Sequence, residues 1–108
     1  MKGLIVFAAV ALVGCTTTQL QEKDPVLTAT STKSPDALEE CIGLAFARTG
    51  RPSTIRGEDQ RIMAWGSGAV TMLTVTIKYG EPNVIEFRSN SINSGSWMRD
   101  VSACANGA

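Results

Sequence analysis

The side chains of this 108-residue chain with chemistry to offer are three cysteines, a run of arginines at positions 48, 51, 56 and 61, and two tryptophans. There is no histidine, which removes the commonest general base and the commonest transition-metal ligand. A nucleophilic serine, threonine or cysteine needs a neighbour that takes its proton. Only a lysine could serve here, and no Ser-x-x-Lys pattern occurs. Two carboxylates can act as acid and base in glycan hydrolysis, but Glu39 and Glu40 diverge on a helix and Glu58 and Asp59 fall in a loop. Both pairs read as solubilising. Trp65 and Trp97 could stack on sugar rings, yet in so small a domain each reads more readily as core or rim. Arg48, Arg51, Arg56 and Arg61 are a candidate site for an anionic lipid headgroup or glycan phosphate, but Glu58 and Asp59 partly cancel their field and the stretch reads more readily as a solvated loop. No catalytic set, metal site or cofactor is expected, and the chain does not read as an enzyme.

Cys15 is the most informative of these residues. Lys2 precedes an unbroken ten-residue apolar run, Leu4 to Val13, which has the anatomy of an export signal. A bilayer span needs about 20 apolar residues, so removal of the segment is the better reading. Its end, Leu12-Val13-Gly14-Cys15, resembles the lipobox of bacterial lipoproteins. The resemblance covers only these residues and speaks to processing rather than activity. It implies that the Cys15 thiol carries diacylglycerol, that residues 1–14 are cut away, and that the new amino group is acylated. Several acyl chains are ample for stable attachment. Thr16 stands where similar lipoproteins kept in the inner membrane often have aspartate, which implies the outer membrane, facing the periplasm.

With Cys15 assigned to lipid, Cys41 and Cys104 remain as a pair, and an oxidising periplasm allows a disulfide that a small domain needs. Metal binding or thiol reactivity would require spacing and further ligands that are missing. Once Lys2 leaves with the signal, nine basic side chains face ten acidic ones. That balance excludes the basic footprint of a nucleic-acid binder.

The elements follow from periodicity. Residues 15–33 are threonine-rich and poor in periodic apolar positions, and read as a lipidated flexible tether with a reach of roughly 20 to 25 Å. Ser34-Pro35-Asp36 is a helix start. Leu38, Cys41, Ile42, Ala45 and Phe46 then mark one buried helical face, and Gly50 with Pro52 ends it. Pro52 to Gln60 reads as a polar connector. Arg61 to Trp65, Ala69 to Tyr79 and Val84 to Arg88 read as strands joined by short glycine-containing turns, an antiparallel meander. The middle strand alternates cleanly, Leu73, Val75, Ile77 and Tyr79 against Met72, Thr74, Thr76 and Lys78. A final helix is capped by Ser96 and carries Trp97, Val101 and Cys104 on one face. A Cys41–Cys104 bridge brings the two helices to one face of the sheet.

The expected domain, residues 34–108, is therefore a two-layer α+β unit in the order α-β-β-β-α. Its core is Leu38, Cys41, Ile42, Phe46, Leu73, Val75, Ile77, Ile85, Phe87, Val101 and Cys104. The opposite sheet face, with Thr74, Thr76, Lys78, Glu86 and Arg88, is left open and is a candidate docking surface for an envelope protein. The function expected is that of a membrane-anchored envelope lipoprotein with a structural or protein-interaction role. The alternative is a binder of a small glycan or anionic lipid headgroup, through the arginines or a tryptophan.

Overall fold

The computed structural model describes residues 19–67, 70–90 and 94–107. The expected signal segment, Cys15 and the first residues of the expected tether lie outside the described residues.

Helix α1 (Pro35–Ala45) forms where the start signals place it: Ser34 is extended, its Oγ accepts the Ala37 N–H at 3.1 Å, and Pro35 opens the helix. Leu38 and Ile42 are its fully buried positions. The helix stops short of Gly50, because a tight 3₁₀ turn over Ala47–Thr49 follows Phe46. Gly50 has φ 118°, a region that side chains with a Cβ avoid. Helix α2 (Gly95–Asn106) begins after Ser94, so Ser96 sits inside its first turn rather than capping it.

The sheet has five antiparallel strands, a correction to the three expected. They are β1 (Leu27–Ser31), β2 (Ser53–Arg56), β3 (Gln60–Ser67), β4 (Val70–Lys78) and β5 (Asn83–Ser89), in the spatial order β1-β5-β4-β3-β2. Strands β2 to β5 are the meander with one extra strand at its start. Strand β1 lies on the far edge, pairing Leu27 with Phe87 and Ala29 with Ile85. The chain then crosses through α1 to the opposite edge. Both new strands are edge strands, in stretches read as tether and as connector. Threonine is a good strand former whose methyl suits a half-buried pleat, and Thr28 and Thr30 fill the exposed positions of β1.

Register places Leu27 and Ala29, Ile85 and Phe87, Leu73, Val75 and Ile77, and Met63 and Trp65 on one face of the sheet. Both helices cover that face, and every expected core residue belongs to the cluster, Cys41 at its margin. Met63, Trp65 and Ala105 join them. Phe46 is the hinge of the aromatic packing, with its centroid 4.9 Å from Trp65, 6.2 Å from Phe87 and 6.4 Å from Trp97. Cys41 and Cys104 are bonded across the two helices, with Cα atoms 5.7 Å apart.

Over the middle of β4 the other face is not open. Residues 19–22 are helical, Leu20 is 1% exposed, and Thr74 and Thr76 are 0% and 1% exposed. The segment read as a flexible tether is therefore docked from residue 19 onward, a second correction. It has no core of its own, but it does not need one where the sheet supplies apolar cover and hydrogen-bond partners.

Candidate functional site

Two clusters of polar side chains are built by this fold, one on each face. On the helix side, the β3 register turns Arg61 inward opposite Ile77, at a corner where the apolar core gives out. Its side chain is 11% exposed. Nε donates to the Tyr79 hydroxyl at 3.0 Å, and Nη1 donates to Asp36 Oδ1 at 2.9 Å and Glu39 Oε1 at 2.8 Å. The guanidinium carbon also lies 5.3 Å from the Tyr79 ring centroid, within cation–π range. Burial lowers the basicity of this group, but its hydrogen bonds to Tyr79, Asp36 and Glu39 outweigh it and hold the cation well above the ordinary arginine range. Glu39 uses its other oxygen to pair with Arg56 on β2. Glu39 thus braces α1 to two strands, a role the solubilising reading missed.

The four arginines do not assemble into an anion site. Arg61 and Arg56 are spent on carboxylates of α1, while Arg48 and Arg51 are exposed on and beyond the 3₁₀ turn. Trp65 is 1% exposed and its indole N–H donates to the Gly50 carbonyl at 3.2 Å. Trp97 is half-buried against Phe46 and Phe87. Trp65 therefore offers no open ring face of the kind a sugar stacks on. Replacing Arg61 by alanine is expected to lower unfolding free energy by about 2 kcal/mol, the range for hydrogen bonds to a charged group at a desolvated site. Asp36→Ala should cost under about 0.5 kcal/mol, because Asp36 is 91% exposed and its pair is screened. Urea denaturation of both variants checks the contrast.

On the outer face, Gln21 spans two buried hydroxyls: its Nε2 donates to Thr74 Oγ1 at 2.7 Å, and its Oε1 accepts from Thr76 Oγ1 at 3.1 Å. Arg88 Nε donates to the Lys23 carbonyl at 2.9 Å, and Lys23 Nζ donates to Asn90 Oδ1 at 2.7 Å. Glu86 Oε1 lies 3.2 Å from Arg88 Nη1 and 3.3 Å from Lys78 Nζ. The five residues expected to form an open docking face are thus engaged: Thr74, Thr76 and Arg88 are covered by residues 19–24, and Glu86 ties Arg88 to Lys78. The alternation of strand β4 showed which side chains share this face. It carried no signal of what covers them.

A groove of about 420 Å³ lies between Thr32–Pro35 and Gly80–Asn83. Two of its polar side chains are used within the fold, Asn83 Nδ2 on the Lys33 carbonyl at 2.6 Å, Asn83 Oδ1 on the Gly80 N–H at 3.0 Å and Lys33 Nζ on the Cys104 carbonyl at 2.9 Å. Among the described residues, no helix is long and apolar enough to cross a membrane, and no group of three His, Cys, Asp or Glu side chains is placed to hold a metal ion. Comparison with protein-family models, curated proteins and solved structures finds no match to this chain.

Proposed function

We propose that this chain is a lipid-anchored lipoprotein of the bacterial envelope, joined to the outer membrane through Cys15, facing the periplasm and serving a non-enzymatic structural or protein-interaction role. The observation that carries the reading is the Cys41–Cys104 bond. A disulfide between two elements of a small domain belongs to an oxidising compartment, and it accounts for two of the three cysteines. Cys15, at the end of the apolar signal run, is the one left for lipid. The role assigned to the domain draws on how its reactive-looking groups are used. Arg56, Arg61 and Arg88 are each paired with carboxylates of the same domain, and Trp65 is core.

The test is the mass of the mature N-terminus isolated from envelopes. A chain beginning at Cys15 and carrying acyl mass is expected; an unmodified Cys15 or a start elsewhere overturns the reading. Cys15→Ala is expected to shift the protein from the membrane fraction to unprocessed or unattached forms, with the described domain unchanged in its circular dichroism. Crosslinking in native envelopes, with mass spectrometry of the captured species, then tests the interaction role. Capture of a defined envelope protein is the expected result.

A further inference from the structure

We infer that the outer surface of β2 and β3, around Ile55 and Ile62, lies against the lipid bilayer that holds the protein. The inference rests on the anchor at Cys15 proposed above and adds which face of the domain meets the membrane.

Three observations lead there. The first is covalent length. Residues 19–22 are helical and docked, so only four residue steps separate Cys15 from Gln19. Fully extended, they span at most about 14 Å. The anchor is therefore a short leash rather than a long tether, and the domain cannot turn freely above the membrane. The second is the path of the docked segment. Followed back from β1, the chain passes β5, where the Lys23 carbonyl accepts from Arg88, and then β4, where Gln21 holds Thr74 and Thr76. Strands β3 and β2 lie one and two strand spacings beyond β4. Strands are about 4.8 Å apart, so β2 is roughly 10 Å from β4 and within reach of Cys15. A leash of that length allows the acyl chains to enter the bilayer beside the β2–β3 end of the outer face.

The third observation is what that end displays. Ile55 and Ile62 are direct cross-strand partners, and Ile62 is in turn opposite Thr76, which fixes both isoleucines on the outer face. Ile55 is 64% exposed, an aliphatic side chain without cover on the same face as the docked leash. A leash this short brings that pair to the headgroup and acyl boundary, where burying apolar area is favourable and adds to the lipid anchor. Of the other large exposed hydrophobics, Val26 precedes β1 and Met72 is on β4, while Leu44, the most exposed, is on α1, on the opposite side of the sheet, and points away from the bilayer in this orientation.

The test uses the full mature chain in vesicles of phosphatidylethanolamine and phosphatidylglycerol that contain a lipid spin-labelled near the top of its acyl chain. Cys41 and Cys104 are bonded and Cys15 is lipidated, so Ile55→Cys and Leu44→Cys each introduce the sole thiol for an environment-sensitive fluorophore. The probe at 55 is expected to shift to the blue and lose at least twice as much emission to the spin label as the probe at 44. Gln21→Ala, which frees the leash, should shrink that contrast. Equal quenching at both positions, or stronger quenching at 44, overturns the inference. The intact mass of the same vesicle-bound protein separates the two levels: with acyl mass present and no contrast, the orientation is wrong and the anchor stands. With no acyl mass and no vesicle binding, the anchor reading fails and the orientation with it.

Discussion

Replacing both Cys41 and Cys104 by alanine is expected to lower the stability of the domain by about 4 kcal/mol, the value the chain-entropy account gives for a bridge that closes a loop of this size. The bonded residues are 63 positions apart, so the bridge encloses β2 to β5, the C-terminal part of α1 and most of α2. Two features make the effect large. The loop contains nearly the whole core, so without the bridge the unfolded chain regains freedom over most of its length. A domain this small also has only about 5 to 15 kcal/mol to lose. The midpoint of thermal unfolding should fall by roughly 15 to 30 °C, taking 4 to 8 °C per kcal/mol for a domain of this size. Calorimetry of the oxidised protein and of the double variant measures it. A shift below about 5 °C would show that helix packing by Leu38, Ile42, Val101 and Ala105 holds the layers together without the bridge.

Leu20→Ala carries the next largest expected effect, a loss of about 3 kcal/mol, in the range for a buried leucine reduced to alanine. Leu20 is 1% exposed, yet it comes from a stretch whose composition reads as solvated chain. A leucine in a tether would cost less than about 0.5 kcal/mol on the same change. The two accounts differ severalfold, and urea denaturation of the mature chain in detergent decides between them. A second readout is local. Freed of the docked segment, the Thr74 and Thr76 side chains lose the Gln21 amide that bonds both. Hydrogen exchange over β4 should accelerate more in Leu20→Ala than in a control such as Leu44→Ala, whose leucine is 71% exposed.

Those two variants also mark where sequence reasoning succeeds and where it stops. The pairing of Cys41 with Cys104 was legible because both cysteines fall on the apolar faces of amphipathic helices, a property local to each segment. The same holds for Ser34 as a cap and for Leu73, Val75 and Ile77 as one side of a strand. Each of these rests on a period or a cap that a few neighbouring residues determine by themselves. The docked segment and the edge strands are different. Leu27 to Ser31 and Ser53 to Arg56 hold few apolar side chains, and what orders them is backbone pairing to β5 and β3, whose unpaired edges exist only once the sheet is assembled.

The polar clusters follow the same division. Arginine and glutamate have no preferred partner until the fold supplies one, so four arginines near in sequence looked like a site. The β3 register then turned Arg61 beneath α1 onto Tyr79, Asp36 and Glu39, and left Arg48 and Arg51 in solvent. The sequence by itself determined the helix start at Ser34, the alternation of β4 and the two cysteines that join the layers. Tertiary structure alone decided the number of strands, the covering of Thr74 and Thr76 by the docked segment, and the partners of Glu39, Arg61 and Arg88. Periodicity records which way a side chain points within its own element. Only the packing of distant elements determines what stands opposite it.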